Sequence, residues 1–254
     1  MRIIISPAKK MNIDNDSLIA NQEPIFLNKS KQVLSKLKEM DYHALKSLWA
    51  CNDKIASLNF ERIKQMRLDN VYTPAILAYE GLQYQYMAPH IFEQRHFDYI
   101  EEHLRILSGF YGLLRPFDGV MPYRLEMQAN LSIGKHKDLY AFWGDSLAKQ
   151  LSSETNTIVN LASKEYSKII TAHLPVHTMI ITCKFGELKG DKVVEKATAC
   201  KMARGEMVRF MAENEVTSAD ALKTFNLQDY HYEASYSSED CYVFLKKTPK
   251  ISHM

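Results

Sequence analysis

The chain has 254 residues, of which 46% are hydrophobic and 24% charged, enough apolar material for one large domain with a sizeable core. Lys and Arg number 32 against 30 Asp and Glu, and this net charge of +2 excludes nucleic-acid binding through overall charge. Four widely separated cysteines without a C-x-x-C pair exclude a disulfide framework and a zinc ribbon.

The chain shows no sign of a membrane segment or a division into domains. No run approaches 18 consecutive apolar residues, and the start of the chain lacks the pattern of a signal peptide. We therefore expect a cytoplasmic protein without membrane contact. Since no linker, repeat or low-complexity tract stands out, we expect a single domain spanning residues 1–254.

The first predicted element is a buried strand at residues 2–6, a run of three isoleucines that ends at Pro7. Ser6 and Lys9 follow at its carboxyl end, where ligands of open α/β sheets collect. Lys9 is therefore a candidate for phosphate binding or for acid/base catalysis. The alternative interpretation is a solvated basic loop.

Residues 28–40 show helical periodicity, Asp41 is the predicted cap of a second helix, and residues 52–68 predict two further helical pieces with Asn59 as the second cap. Residues 48–56 have the outline of a helix-hairpin-helix element. Such a hairpin offers backbone N–H groups to a nucleic-acid phosphate.

The two glycines that are usual in this hairpin would fall at Ala50 and Asn52, with Lys54 just beyond them. Asparagine tolerates the left-handed conformation and alanine does so poorly. The alternative is an ordinary helix pair, which is a common packing unit.

A second buried strand is predicted at residues 76–79, and a helix from Pro89 to about His103. This helix contains Glu93 and His96 at the spacing of a ligand pair in di-iron bundles. Such a site needs a second pair and further carboxylates, and neither is evident, so we expect no metal site.

Stiff turns are predicted for residues 107–127, directly after a predicted strand at 104–107, because this stretch holds three of the nine glycines and two of the eight prolines. It also carries Arg115 and Arg124. A guanidinium held by rigid backbone suits a phosphate or a carboxylate. The alternative is that the two arginines pair with Asp118 and Glu126.

Lys137, Tyr140 and Trp143 are predicted near the start of a helix that continues to about residue 151. An aromatic ladder with one lysine is typical of a base-stacking platform, and a buried core is the alternative. A strand is then predicted at residues 157–161. Ser163 is the predicted cap of the helix that follows, whose N–H groups could receive an anion.

Residues 177–188 and 191–200 alternate in hydrophobicity and predict an antiparallel hairpin. A helix is predicted to start at about Lys201, which places Lys201 and Arg204 near its N-terminus. Cations there oppose the helix dipole, so the arrangement favours an anionic partner. A last strand is predicted at residues 241–246.

Several of these segments together resemble the YaaA family of bacterial peroxide stress resistance proteins. The resemblance covers essentially the whole chain and is carried, in order, by residues 5–9, 107–116, 122–127, 137–144, 160–163 and 203–205. One departure is Lys10, where the family often has a small hydroxyl residue.

The resemblance implies a mixed α+β fold in a single domain, with a mixed central sheet surrounded by helices and a helix-hairpin-helix-like element. It also implies binding to double-stranded or distorted DNA in a basic cleft, and a role in limiting free iron and the oxidative damage that iron causes. The implied cleft residues are Lys9, Arg115, Arg124, Lys201 and Arg204, with the hairpin at residues 50–54. No cofactor is expected.

Two hypotheses of different classes follow. In the first, the protein binds DNA through an anion site formed by Ser6, Lys9, Arg115, Arg124, Lys137, Ser163, Lys201 and Arg204, together with Ala50, Asn52 and Lys54 of the hairpin. In the second, the same basic pocket is an enzyme site for a small phosphorylated or carboxylated metabolite, with Lys9, Tyr123 and Glu126 as candidate catalytic residues. An enclosed pocket would favour the enzyme and an open groove would favour DNA.

Overall fold

The structure is a computed structural model, and it describes residues 1–14, 18–69 and 73–247. The strands are β1 Arg2–Ile5, β2 Lys10–Met11, β3 Thr73–Pro74, β4 Tyr79–Glu80, β5 Leu104–Ser108, β6 Gly112–Leu114, β7 Gly119–Val120, β8 Thr157–Leu161, β9 Met179–Lys189, β10 Lys192–Val194, β11 Tyr230–Tyr232 and β12 Cys241–Lys246. The α-helices are α1 Leu27–Glu39, α2 Tyr42–Trp49, α3 Asp53–Gln65, α4 Ala75–Ala78, α5 Leu82–Met87, α6 Gln94–His103, α7 Leu139–Trp143, α8 Ser146–Glu154, α9 Lys164–Thr171 and α10 Ala197–Glu213. Short 3₁₀ turns lie at Pro89–Ile91, Ala219–Thr224, Leu227–Asp229 and Ala234–Tyr236.

A mixed β-sheet forms the centre of the molecule, in the strand order β11-β12-β9-β8-β1-β5-β6. The neighbours from β12 to β5 run parallel, whereas β6, β10 and β11 each pair antiparallel with one strand of this group. Ile3, Ile4 and Ile5 of β1 are fully buried, as expected for a parallel strand covered on both faces. The predicted α+β class with a mixed central sheet is confirmed.

The position of β1 explains where a ligand would find a crevice. In the sheet, β1 lies between β5 and β8. The chain first adds β5 on one side of β1 and later adds β8 on the other side. The connections therefore diverge at this point, and crevices of open sheets form at the carboxyl ends of strands where this happens. The predicted strands at residues 2–6, 104–107, 157–161 and 241–246 are all present.

The strand predicted at residues 76–79 is wrong. Residues Ala75–Ala78 form one helical turn, and only Tyr79–Glu80 is extended, where it pairs with β2. The N–H groups of Ala75 and Ile76 donate to carbonyl oxygens of Asp118 and Pro116 at 2.9 and 3.0 Å. A short apolar run does not distinguish strand from buried helix, and here the tertiary hydrogen bonds decide.

The helix predicted from Pro89 to His103 is divided in two. A 3₁₀ turn at Pro89–Ile91 precedes α6, whose cap is Glu93. The His96 ring accepts the Glu93 N–H at 3.1 Å, so this pair closes the start of a helix. The spacing that resembled a di-iron ligand pair therefore has a capping role.

Three boundaries were also predicted wrongly. Asn59 caps no helix, since it lies inside α3 and donates to the Ile55 carbonyl at 2.8 Å. The helix predicted up to residue 151 is interrupted at Gly144, where φ is +53°. The second strand of the 177–200 hairpin ends at Val194, because α10 begins at Ala197.

That early start of α10 corrects the argument from the helix dipole. Lys201 and Arg204 lie one to two turns inside the helix rather than at its end. The dipole acts mainly on the first turn, so it places little unfavourable field on these two cations. The positive charge that they bring must be judged from their neighbours instead.

The predicted turns at residues 107–127 are confirmed as a buried structure that packs backbone against backbone. A Cβ on Gly109 would lie 2.6 Å from the Leu125 carbonyl oxygen, so only glycine allows the two segments to approach this closely. The Tyr123 hydroxyl is hydrogen-bonded to the Ser108 hydroxyl at 2.6 Å and to the Tyr79 hydroxyl at 2.9 Å. These contacts fix the segment that carries Arg124.

Candidate functional site

A cavity of about 360 Å³ lies at the carboxyl ends of β1 and β8, at the position that the strand order favours. We call it the basic cavity. It is lined by Ser6, Pro7, Ala8, Lys9, Lys10, Glu80, Gly81, Leu82, Gln83, Tyr84, Tyr123, Arg124, Leu125, Glu126, Ser163, Glu165, Tyr166, Lys201 and Arg204. The residues thus come from the two strand ends, the start of α5, the turn segment before residue 127, and α10.

The lining of the basic cavity carries more positive than negative charge. Five cationic side chains line it, Lys9, Lys10, Arg124, Lys201 and Arg204, against three carboxylates, Glu80, Glu126 and Glu165. The formal excess is two positive charges within one cavity, which equals the net charge of the whole chain. The location can therefore attract an anion even though the protein as a whole is nearly neutral.

Arg124 is nearly buried, with 11% of its side chain exposed. Its Nη2 lies 3.4 Å from Glu126 Oε1, and Lys9 Nζ lies 2.9 Å from that same oxygen. The predicted pairing of Arg124 with Glu126 is thus present, but Glu126 is shared between two cations. Among residues 1–14, 18–69 and 73–247, the buried Arg124 Nε has no hydrogen-bond partner.

Arg204, from α10, has similar surroundings in the lining. Its side chain is 16% exposed, and the carboxylate oxygen of Glu195 is 4.0 Å away from Nη2. Its Nε is also buried and has no partner within the described part of the chain. A buried N–H without an acceptor is unfavourable, and an anionic oxygen is the acceptor that a guanidinium binds most strongly. Two such groups make the basic cavity a candidate anion site.

Two serines form hydrogen bonds between the ends of the adjacent strands. Ser6 Oγ accepts the Ser163 N–H at 2.8 Å and lies 3.3 Å from Ser163 Oγ. Ser163 is the cap residue of α9, as predicted, but its hydroxyl does not cap the helix. The carboxyl edge of the sheet is therefore fixed where it lines the basic cavity.

Glu165 places a carboxylate in the lining and also holds the neighbouring loop. Its Oε1 accepts the Gln128 N–H at 3.3 Å, and the Tyr140 hydroxyl donates to its carbonyl oxygen at 2.9 Å. Burial raises the pKa of Glu165, so its negative charge is weakened in mildly acidic solution.

Tyr123 lines the basic cavity with its hydroxyl engaged by buried neighbours. Ser108 and Tyr79 are its partners, and Phe110 stacks on its ring at 5.0 Å between centroids. Burial raises the pKa of Tyr123 to about 12, so the hydroxyl keeps its proton at neutral pH. As a candidate catalytic residue it could donate a proton but not accept one.

Arg115 is not brought to the basic cavity. Its Nε and Nη2 lie 2.9 and 2.8 Å from Asp118 Oδ1, and its Nη2 donates to the Glu23 carbonyl at 2.8 Å. Asp118 Oδ2 accepts the Arg115 backbone N–H as well. The alternative of an internal ion pair thus describes Arg115, whose charge is already compensated within the turn.

Lys137 also lies outside the lining, as an exposed residue before α7. The aromatic residues that follow it are largely core. Trp143 is fully buried and donates from its indole N–H to the Gly109 carbonyl at 3.1 Å, and Phe142 is 4% exposed. The interpretation of this stretch as core is therefore favoured over a stacking platform.

The predicted hairpin lies outside the basic cavity but next to it. Helices α2 and α3 are joined by three residues, of which Ala50 has the left-handed conformation with φ 43° and ψ 56°. Asn52 is extended and accepts the Ile55 N–H at 3.0 Å as the cap of α3. Lys54, in the first turn of α3, is exposed. Ala50 thus takes the backbone shape of the first usual glycine, whereas Asn52 does not take that of the second.

A groove of about 470 Å³ lies beside the hairpin. It is lined by Ala50 and Trp49 on one side and by Glu126 and Gln128 on the other, and Glu126 lines the basic cavity too. The groove and the basic cavity therefore lie on either side of Glu126 or share it along one edge.

We expect Ala50→Gly to raise the free energy of unfolding by about 0.5 to 1 kcal/mol, because glycine adopts the left-handed conformation without the steric cost of a Cβ. Ala50 is exposed, so no packing is lost. Chemical denaturation measures the change. Ala44→Gly, inside α2, is the matched control and should have the opposite sign. A destabilised Ala50→Gly variant would contradict the prediction.

The lining residues that the sequence does not predict include five with carboxylate, amide or phenol side chains: Glu80, Gln83, Tyr84, Glu165 and Tyr166. The first three follow Ala75–Ala78, a helical turn where the sequence predicts a strand. The direction in which their side chains point therefore does not follow from the sequence. The other two follow Ser163 directly. The position of Ser163 at a strand end was the signal that could have found them.

Within residues 1–14, 18–69 and 73–247, no group of three or more His, Cys, Asp or Glu side chains is arranged to hold a metal ion. None of the helices in the same ranges combines the length and the apolar character needed to cross a bilayer.

Comparison with known proteins gives matches over nearly the whole length. A family model described as "Peroxide stress protein YaaA" matches residues 1–236. A "UPF0246 protein" of Lachnoclostridium phytofermentans is 52% identical over 246 residues, which cover 97% of this chain and 96% of the relative. Similar proteins of the same description in Agathobacter rectalis and Pediococcus pentosaceus are 51% and 50% identical, over 97% of this chain and 99% and 98% of theirs.

Proposed function

The chain belongs to the YaaA family of peroxide stress proteins, and from this premise we propose that it binds DNA through the basic cavity and the adjoining hairpin. By occupying DNA during peroxide stress, it would limit iron-dependent oxidative damage there. The observation that carries the proposal is the pair of buried guanidinium groups, on Arg124 and Arg204, in one cationic cavity. Their Nε atoms have no acceptor among the residues that the structure describes.

The chemistry of these groups suits a phosphate. A guanidinium presents N–H donors in a planar fork that matches two phosphate oxygens, and it keeps its charge at every physiological pH. Lys9 and Lys201 add mobile charges at the edge, since the Lys9 side chain is 64% exposed and Lys201 is exposed as well. The arginines thus provide hydrogen-bond donors at fixed positions, and the lysines add positive potential that attracts a phosphate group.

The hairpin supports an extended ligand rather than an isolated ion. The groove that ends at Ala50 shares Glu126 with the basic cavity, so a strand could contact both surfaces along one path. Phosphates of nucleic acid repeat along such a path and are contacted by basic side chains and by backbone N–H groups.

The test is the salt dependence of binding to a short duplex, measured by fluorescence anisotropy. Arg124→Ala and Lys201→Ala should each reduce the slope of log K against log salt by about one unit, because each removes one phosphate contact. Lys192→Ala removes an exposed charge outside the cavity lining and is the matched control. Slopes that stay unchanged in the two cavity variants, or that fall equally in the control, would refute DNA binding at this site.

A second candidate is an enzyme that acts on a small phosphorylated or carboxylated metabolite. The cavity volume of about 360 Å³ favours it, because this is within the range of small-molecule pockets and far too small for a duplex to enter. Arg124 and Arg204 would hold the anion, Lys9 would supply positive potential, and Glu126 would transfer a proton.

Glu126→Gln distinguishes the two candidates. If the cavity only binds phosphate, removing this carboxylate relieves repulsion, and duplex affinity should stay equal or increase. If Glu126 transfers a proton, turnover of the metabolite should fall by about 10² to 10⁴ while ligand binding is retained.

A further inference from the structure

We infer that the basic cavity holds a single nucleotide unit, with its phosphate on Arg124 and Arg204 and its base against the tyrosines of the lining. This inference rests on the proposed anion binding and names the chemical class of the ligand. The nucleotide is either free or part of a strand, since both sources present the same phosphate, sugar and base.

Cavity size excludes the two extremes of ligand size. A volume of about 360 Å³ is much larger than an inorganic phosphate needs and lies near the lower end of the range for small-molecule pockets, about 300 to 1,000 Å³. A double helix cannot enter it. The ligand portion inside the cavity is therefore of intermediate size and consists of more than its anionic group.

The anionic end is defined by the arginines. Among the described residues their buried Nε atoms have no acceptor, and the carboxylates of Glu126 and Glu195 lie 3.4 and 4.0 Å from the Nη2 atoms. A single phosphate can accept hydrogen bonds from several of these donors at once.

The rest of the lining is largely apolar and aromatic, which favours a base over a bare sugar. Tyr84 and Tyr166 are 4% and 7% exposed and line the cavity together with Leu82 and Leu125. Aromatic faces bind nucleobases by stacking, which contributes about 1 to 3 kcal/mol per base. A sugar phosphate has no flat apolar surface that would use these side chains.

The lining also provides a polar group suited to a base edge. The Gln83 amide nitrogen donates to the Leu161 carbonyl at 3.3 Å, which orients the side chain and leaves its oxygen as an acceptor. Amide side chains commonly read base edges in this way.

The first experiment titrates the full chain with a deoxynucleoside 5′-monophosphate, with deoxyribose 5-phosphate and with inorganic phosphate, using calorimetry. The nucleotide should bind at least tenfold more tightly than the other two. A parallel titration compares two duplexes that differ only by one unpaired nucleotide. A preference for the nucleotide in the first series identifies a free ligand, and a preference for the unpaired site in the second identifies a nucleotide held by a strand.

Leu82→Trp tests the cavity itself, because it adds volume to the lining without changing a charge. It should abolish the preference for the nucleotide over deoxyribose 5-phosphate, because less room is left for a base. Leu58→Trp, at a residue that is 54% exposed on α3, is the matched control and should retain the preference for the nucleotide. Leu82→Phe is a smaller form of the same change, for use if the Trp variant does not fold.

The inference is overturned if the nucleotide gains nothing over deoxyribose 5-phosphate and the unpaired nucleotide gains nothing over paired duplex. It is also overturned if a folded Leu82→Trp variant keeps the preference. Loss of all duplex binding together with tight nucleotide binding would refute the proposed DNA function and leave the nucleotide pocket intact, so the two failures can be distinguished.

Discussion

Gly205→Ala should lower the free energy of unfolding by about 3 kcal/mol or more, although the same change inside an ordinary helix is stabilising by about 1 kcal/mol. A Cβ at Gly205 in α10 would lie 2.2 Å from the Gln83 carbonyl oxygen and 2.9 Å from the Met87 nitrogen, both backbone atoms of α5. Backbone cannot rotate away as a side chain can, so the two helices must separate.

This separation should also affect the basic cavity, because Gln83 and Arg204 line it from the two helices that would move apart. Thermal unfolding should show a midpoint lowered by roughly 6 to 12 °C, and duplex affinity should fall in the folded protein. Gly190→Ala is the matched control. Its Cβ would meet no atom within 4 Å, and only the left-handed φ of +59° opposes it, at about 1 kcal/mol. Equal losses in the two variants would contradict the close-contact argument.

Asp118→Ala should be the other strongly destabilising change, at about 3 kcal/mol. The Asp118 carboxylate is fully buried and accepts hydrogen bonds from the Arg115 backbone N–H and guanidinium. Burial raises its pKa to about 6, so at pH 7 and above it remains mostly ionised and paired. Removing it leaves the Arg115 guanidinium, of which 30% is exposed, without its counter-ion.

Denaturant unfolding at pH 7.5 measures this loss, and the double variant with Arg115→Met should be less destabilised than the sum of the two single changes. Asp220→Ala removes an exposed acid that pairs with Lys223 at the same i, i+3 spacing and should change stability little. DNA affinity per folded molecule should be unchanged in Asp118→Ala, because neither member of the Arg115 pair lines the basic cavity. An unaltered unfolding curve would contradict the buried-pair interpretation.

The location of the candidate site was predictable from the sequence, because strand ends leave a clear local signal. Ser6, Lys9 and Ser163 were assigned to carboxyl ends of buried strands, and adjacent parallel strands bring such residues to one edge. The turn arginines were found from the unusual density of glycine and proline around them. Both signals depend on only a few neighbouring residues.

The different environments of Arg115 and Arg124 could not be predicted, since both lie in the same stretch of stiff turns and each is near an acidic residue. Asp118 lies three residues after Arg115 and forms an ion pair with it inside one turn. Glu126 instead pairs with two cations, Arg124 and Lys9. This sharing of Glu126 depends on Lys9, which follows the end of β1 and is distant from Glu126 in the sequence. For the same reason Glu80 and Tyr84 escaped notice, because their direction depends on hydrogen bonds from α4 to a segment more than thirty residues away.

The five cations around the basic cavity come from three stretches of chain, near residues 10, 124 and 200, and meet only because the sheet and α10 are assembled. No peptide cut from this protein carries the set. The cluster of five cations therefore exists only in the folded chain, and global unfolding separates all of them in one step.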